Sequence, residues 1–116
     1  MITIEQARKA ALSLPGTEEK PHFELSSFRV KNKIFATIHA DKNYMMVKLS
    51  AIEQSVFCSY NKEVMFPVPG GWGKHGATFI NLKKVKKAML LDALKTAWKT
   101  TAPAKLIEKH FGKEKS

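Results

Sequence analysis

Cysteine is nearly absent from this sequence of 116 residues, in which Cys58 is the only one. A single thiol excludes an internal disulfide and a cysteine-based metal site, and it agrees with a reducing compartment. The neighbouring residues "SVFCSY" indicate an apolar helix face. On such a face we expect an inert buried thiol, with a reactive nucleophile as the alternative.

Long apolar runs are missing as well. No stretch approaches the roughly 20 apolar residues that cross a bilayer, and Glu5 and Arg8 stand where a signal peptide has its apolar block. We therefore expect no membrane association and a cytoplasmic location. The length of the chain suits one compact domain, so we expect a single domain over residues 1–116.

Acidic residues are scarce relative to basic ones. Ten Asp and Glu stand against 20 Lys and Arg, which gives a formal net charge of +10. Residues 83–116 hold much of this excess, with ten lysines and three acidic residues. Such a charge favours polyanionic partners, but a solvated lysine-rich surface that maintains solubility has the same composition. Charge alone does not separate the two interpretations.

Signals for catalysis or metal binding are weak. The four histidines have no HxH or HxxxH spacing, and no serine lies in a nucleophile-elbow sequence. His22 and Glu24 flank Phe23 and could relay a proton, although a local hydrogen bond from His22 is the simpler interpretation. We expect no catalytic residues, no cofactor and no metal site.

Hydrophobic periodicity predicts the element order α-βββ-α-ββ-α. Capping boxes, in which a serine or threonine precedes Gln or Glu by three residues, open predicted helices at residues 4–13 and 51–60. In the second helix Ile52, Val56 and Phe57 are the candidates for the inward face. The predicted strands are "SFRV", "IFATIHA", "YMMVKLS", "VMFPVP" and "ATFINL", whereas "TEEKPHFELS" has no period and is predicted to be a loop.

The last third of the chain is predicted to be helical. Apolar residues recur at helical spacing over residues 89–98, Pro103 ends or bends this helix, and "AKLIEKHF" forms a short last helix before a tail, "GKEKS". This order predicts an α+β fold in which a mainly antiparallel five-stranded sheet has helices packed on one face.

The stretch "GGWGKHGATFINL" allows three interpretations. It lacks the Gly-Lys-Ser/Thr of a phosphate-binding loop, and it leads into a predicted strand rather than a helix, which disfavours a nucleotide cradle. Glycines that let the backbone turn sharply, with Trp72 packing back on the sheet, are the structural interpretation. The alternative is a binding finger in which Trp72 stacks on a base and Lys74 and His75 contact phosphates.

A second basic turn, "RVKNK", carries Arg29, Lys31 and Lys33 between two predicted strands. Hairpin turns of this kind can follow a phosphate backbone, and their lysines then give affinity with little sequence preference. The placement of five lysines separates the two interpretations of the charge. If Lys31, Lys33, Lys74, Lys84 and Lys95 form one contiguous face, nucleic-acid binding is favoured, and if they scatter, solubility explains them.

Five stretches, "ALSLPGTEEKPHFE", "SFRVKNKIFATI", "MVKLS", "FPVPGGWGKHGATFINL" and "AWKTTAPAKL", resemble in order and spacing the MmcQ/YjbR family of small bacterial proteins over nearly the whole chain. The resemblance implies a two-layer α/β sandwich whose topology is related to that of type III secretion chaperones. It also implies DNA binding by two wings, here Arg29–Lys33 and Trp72–Gly76, with no catalytic residues. Ala77 departs from the large aromatic that many relatives have there.

We therefore expect a non-enzymatic, monomeric protein that binds nucleic acid, with DNA as the first candidate. The expected contact residues are Arg29, Lys31, Lys33, Trp72, Lys74 and His75. The alternative is a protein-interaction or chaperone-like module without a nucleic-acid role, which would use an exposed apolar patch on the sheet or the edge strand around Pro67 and Pro69.

Overall fold

The computed structural model describes residues 1–112, so that most of the expected tail "GKEKS" lies outside the described residues. Within residues 1–112 the chain forms five helices and six strands. In chain order these are α1 (Ile4–Leu12), β1 (Thr17–His22), β2 (Leu25–Val30), β3 (Lys33–His39), β4 (Tyr44–Lys48), α2 (Ala51–Tyr60), β5 (Met65–Pro67), α3 (Gly71–Lys74), β6 (Ala77–Asn81), α4 (Lys87–Thr101) and α5 (Ala104–Phe111).

The strands form one antiparallel sheet in the order β1-β2-β3-β4-β6-β5. The first four strands follow one another as a meander, and β6 pairs with β4 on one side and with the short β5 on the other. At the β2–β3 turn Lys31 and Asn32 have φ values of 50° and 66°. Two successive left-handed residues make a type I′ turn, whose twist matches that of the strands it joins.

One face of the sheet carries the hydrophobic core. Alternate strand residues, among them Phe28, Ala36, Val47 and Ile80, belong to the same buried cluster as residues of α1, α2 and α4. The helices therefore pack on this face, which we call the core face, and within residues 1–112 they leave the other face, the open face, uncovered. The predicted α+β sandwich with an antiparallel sheet is confirmed.

Local capping signals placed two helix starts correctly. The Thr3 hydroxyl accepts a hydrogen bond from the Gln6 N–H at 3.0 Å, and the Gln6 side chain accepts one from the Thr3 N–H at 2.9 Å. Ser50 and Glu53 make the equivalent pair at 3.1 and 2.8 Å. Each reciprocal pair satisfies two backbone donors that a helix start leaves free, which fixes the boundary locally.

The segment predicted to be a loop contains a sixth strand, so the predicted strand number of five is wrong. Residues Thr17–His22 pair along their whole length with β2. The strand lies at the edge of the sheet, where polar residues are tolerated and where Pro21 costs no internal hydrogen bond. Its polar composition therefore hid it, because its exposed positions lack the apolar residues on which alternation is recognised.

The predicted inward face of α2 is also wrong in part. Ile52 is 78% exposed and Val56 52% exposed, whereas Phe57 is 8% exposed and lies in the core. A helix of ten residues with apolar side chains on both sides has no preferred face by itself, so packing against β5 decides which face is buried. Cys58 is half-buried against the core, and burial raises the pKa of its thiol.

The last two helices follow the prediction. Leu90, Ala93, Leu94, Ala97 and Trp98 form the buried stripe of α4, and this helix ends at Thr101, two residues before Pro103. The shorter α5 follows directly and packs Phe111 against Trp98, with ring centroids 5.3 Å apart. None of the helices in the described part of the chain is both long and apolar enough to span a bilayer.

Candidate functional site

A groove of about 550 Å³ brings together basic residues from segments far apart in the sequence. We call it the basic groove; His22, Arg29, Lys33, Lys48 and His75 line it. Asn32, Thr100 and Thr101 add an amide and two hydroxyl groups, and Ile34 and Leu49 complete the lining. No Asp or Glu is among these lining residues. The groove therefore presents cations and neutral hydrogen-bonding groups to a ligand.

Arg29 is held in place by its neighbours on the sheet. Its Nε donates to the Ser27 hydroxyl at 3.0 Å, and its Nη2 lies 3.5 Å from the Pro21 carbonyl oxygen. Ser27 in turn donates to the Lys20 carbonyl at 2.7 Å, which fixes the acceptor. Within residues 1–112 no carboxylate lies within 4.0 Å of the Arg29 guanidinium. Its guanidinium is thus positioned without a direct ion pair in this part of the chain, although Glu18 lies opposite Arg29 on β1, where its carboxylate pairs with Lys20 at 3.4 Å.

Two lysines reach the groove from neighbouring strands. Lys33 begins β3 directly after the type I′ turn and is exposed. Lys48 ends β4 and is also exposed, opposite Ala77 in the pairing with β6. Sequence reasoning missed Lys48, although the alternation in "YMMVKLS" places it on the face opposite the apolar Met45 and Val47. His22 and Asn32 were likewise not predicted as groove residues.

Steric constraints at two glycines fix the loop that carries His75. A Cβ on Gly73 would overlap the Val68 carbonyl oxygen, and a Cβ on Gly76 would overlap that of Leu49. Gly76 also has a φ of +100°, which side-chain-bearing residues rarely adopt. The loop is therefore pressed against the start of α2 and the end of β5, and His75 is exposed at the groove between the two glycines.

Trp72 does not pack back on the sheet, so the structural interpretation of this tryptophan is wrong. The glycine stretch contains the single helical turn α3, in which Gly73 takes the inward position and Trp72 is 71% exposed. The Gln54 amide donates to the carbonyl oxygens of Gly73 and Ala77 at 2.9 and 3.1 Å and so anchors the turn. Trp72 and Lys74 are accessible, but neither lines the basic groove.

The predicted contact residues are thus divided. Arg29, Lys33 and His75 line one groove, whereas Lys31, Trp72 and Lys74 do not. Of the five lysines whose grouping was to separate nucleic-acid binding from solubility, only Lys33 lines the groove. For the other four lysines the outcome favours the interpretation as a solvated surface that maintains solubility. Lys84 forms an ion pair with Glu63 at 3.2 Å, and the Lys95 ammonium lies 4.6 Å from the centroid of the Phe111 ring.

The end of α4 closes one side of the groove. The Thr100 hydroxyl donates to Glu53 Oε1 at 2.8 Å, and the same oxygen accepts from the Ser50 N–H. This carboxylate is therefore engaged by two donors beside the groove rather than directed into it. A proton relay between His22 and Glu24 has no hydrogen bond to support it in the described chain, where the His22 ring contacts that of Phe23 at 4.7 Å.

Metal-ligating side chains do not gather in residues 1–112: no group of three or more His, Cys, Asp or Glu lies close enough to hold an ion.

The open face of the sheet carries aromatic residues. Phe79 is 6% exposed and is surrounded by the rings of His39, Tyr44 and Phe66, with centroids 5.1, 5.2 and 6.0 Å away.

Comparison with known proteins identifies the family and the fold. The family model YjbR matches residues 12–100. A crystal structure of the Deinococcus radiodurans protein DR2400, assigned to the domain family DUF419, superposes with a TM-score of 0.71 at 18% identity, covering 99% of this chain and 84% of that one. No curated protein matches the chain. The fold is thus shared with DR2400. Because the family model covers more than half of the length of this chain, the chain belongs to the YjbR family.

Proposed function

We propose that this protein binds DNA, without catalysing a reaction, by holding backbone phosphates in the basic groove. The observation that carries the proposal is the convergence of Arg29, Lys33 and Lys48 on one groove whose lining contains no carboxylate. The net charge of +10 supplies the long-range attraction that concentrates a polyanion at such a surface.

The chemistry of the groove suits phosphate oxygens. Guanidinium and ammonium groups release counterions when they neutralise phosphates, and the Asn32 amide and the Thr101 hydroxyl can donate further hydrogen bonds to the backbone. Arg29 is already oriented by Ser27, so that little side-chain freedom is lost on binding. Contacts of this kind carry no sequence information, and we expect affinity that depends strongly on salt and weakly on base sequence.

A titration of labelled duplex DNA followed by fluorescence anisotropy tests the proposal. The variant is Lys33→Gln/Lys48→Gln, which removes two groove cations. The matched control is Lys9→Gln/Lys87→Gln, which removes two exposed lysines elsewhere. Lys87 begins α4, and Thr101, which lines the groove, ends it. Lys87 therefore lies about 20 Å along the helix axis from the groove end of α4.

The proposal predicts saturable binding that is weakened in the groove variant and nearly unchanged in the control. Equal weakening in both variants would mean that net charge rather than the groove attracts DNA. No binding at low salt would remove the proposal altogether.

The outward face of α2 supports a second candidate function, binding to another protein. Ile52, Val56 and Tyr60 are 78%, 52% and 69% exposed and recur every fourth residue, which places them in one stripe. Binding of a partner protein to such a stripe would bury apolar area, and its affinity would depend little on salt concentration. Sedimentation velocity of the wild type and Val56→Lys tests the simplest partner, a second copy; a monomer in both would remove self-association.

A further inference from the structure

The open face of the sheet carries a group of neighbouring aromatic and sulfur side chains. We call it the aromatic face; His39, Tyr44, Met46, Phe66 and Phe79 form it. Strand pairing places them together, since His39 lies opposite Tyr44, and Phe79 lies between Met46 and Phe66. Their neighbours along the strands, such as Met45 and Ile80, point into the core on the other side.

The rings of this group form a platform with an accessible upper layer. Phe79 is buried but does not belong to the core cluster beneath the helices. Its ring is covered on the open side by Tyr44, Phe66 and His39, each of which is half-buried. Tyr44 also meets Phe66 edge to face at 5.4 Å. These three residues therefore keep partial exposure, on a face that no described helix covers.

Cations surround the platform. The Lys42 ammonium lies 5.8 Å from the Phe79 centroid, and Lys48 follows Met46 on the same face of β4. Arg29 lies over Ser27 on β2, two strands from β4 and hence about 10 Å away. Arg29 and Lys48 also line the basic groove, so these two cations are common to the groove and to the surroundings of the platform.

His39 contributes a neutral ring at neutral pH. Burial, and secondly the nearby Lys42, lower the pKa of its imidazole below the ordinary value, against a smaller opposing effect of Asp41. Its Nε2 lies 2.9 Å from the Thr37 hydroxyl, which holds the ring on the face. An uncharged, oriented imidazole can stack on a base as the neighbouring rings can.

We propose that the aromatic face binds single-stranded DNA, whose bases stack on Tyr44, Phe66 and His39 while its phosphates contact Lys42, Lys48 and Arg29. This inference rests on the proposed function and extends it to the form of DNA. Alternating aromatic surface and cations is the arrangement by which proteins bind single strands. A duplex has its bases already stacked and paired, so it can use the groove but not the platform. A protein helix docked on this face would instead have to bring acidic groups to the surrounding cations.

The first experiment uses the wild-type protein and therefore does not depend on the folding of a variant. Three labelled ligands are compared by anisotropy at low salt: an oligothymidine of about 15 nucleotides, an abasic oligomer of the same length, and a duplex of that length. Because stacking is lost in the abasic oligomer while the phosphates remain, we expect the oligothymidine to bind at least about tenfold more tightly than either.

Two variants locate the effect. Tyr44→Leu retains an apolar side chain against Phe79 but removes the ring, and Tyr60→Leu makes the same change on the outward face of α2 as the control. We expect Tyr44→Leu to weaken oligothymidine binding at least about fivefold, to leave abasic and duplex binding unchanged, and Tyr60→Leu to change none of them.

Equal affinity for the oligothymidine and the abasic oligomer would overturn the platform and leave phosphate binding in the groove intact. A duplex bound as tightly as the single strand would overturn it too. No binding of any ligand would overturn both proposals, and equal loss in Tyr44→Leu and Tyr60→Leu would place the bases elsewhere.

Discussion

Four neighbouring glycines provide a graded test of the loop that places His75 in the groove. They differ in two properties, the sign of φ and the space for a Cβ. Gly71 has neither constraint, and Gly70 has a φ of +87° but open space. Gly73 has no unusual φ but no room beside Val68, and Gly76 has both constraints. Substitution of each by alanine therefore separates backbone strain from steric overlap.

The expected losses in free energy of unfolding follow from these two causes. Gly71→Ala should be neutral or stabilising by up to about 1 kcal/mol, since alanine favours the helical turn. Gly70→Ala should cost about 1–3 kcal/mol for a backbone region that is almost restricted to glycine. Gly73→Ala should cost about 1–3 kcal/mol, because the Val68 carbonyl must move. Gly76→Ala combines both causes and should lose about 2–6 kcal/mol.

Urea denaturation followed by circular dichroism measures the series, with Gly71→Ala as the matched control for the loss of chain flexibility. The order of stability is the decisive result, because it depends less on the individual magnitudes. A Gly73→Ala protein as stable as Gly71→Ala would show that the loop does not approach Val68, and the placement of His75 beside the groove would then be refuted.

Three further predictions concern the groove, the thiol and the core. If Arg29, Lys33 and Lys48 each neutralise one phosphate, raising the salt concentration from about 50 to about 200 mM should weaken duplex binding by the wild type about 40-fold. In Lys33→Gln/Lys48→Gln the same change should weaken binding only about 3- to 4-fold. Equal dependence of the two affinities on salt concentration in a titration would contradict this. Because burial raises the pKa of Cys58, its thiolate should form only at higher pH. Its reaction with a disulfide reagent near pH 8 should therefore be at least about tenfold slower in the folded protein than in urea. Equal rates in the two states would show an accessible thiol. Trp98→Phe removes the 2.9 Å hydrogen bond from the indole N–H to the Pro15 carbonyl, together with part of a fully buried ring. The free energy of unfolding measured by urea denaturation should fall by about 2 kcal/mol. A fall of less than about 0.5 kcal/mol would count against this packing.

Features set by neighbouring residues were predictable from the sequence. The two capping boxes fixed the starts of α1 and α2, because each is a pair of hydrogen bonds between residues three apart. The buried stripe of α4 and the alternation of β3 and β4 were predictable because each pattern lies within a single element. Arg29, Lys33 and His75 were predicted as contact residues from the basic turn and the glycine stretch, and the structure places all three in one groove.

Other features depend on contacts between distant segments. β1 is a strand because it pairs with β2, and α2 buries Phe57 because of where it meets β5, although its sequence offered Ile52 and Val56 as well. No local signal records such a partner, so the loop assignment and the inward face of α2 were wrong. Trp72 is exposed for a similar reason, since the close approach of Gly73 to Val68 leaves it the outer position.

The sequence by itself thus determined five of the six strands, the longer helices, the excess of positive charge and the capped helix starts, because these depend on residues within a few positions of one another. Only the tertiary structure decided which cations meet. Lys48 joins the groove through sheet pairing, and the aromatic face exists only because β5 and β6 pair beside β4. Surfaces made of side chains from separate strands are set by sheet order and register, and those depend on long-range pairing that no single segment encodes.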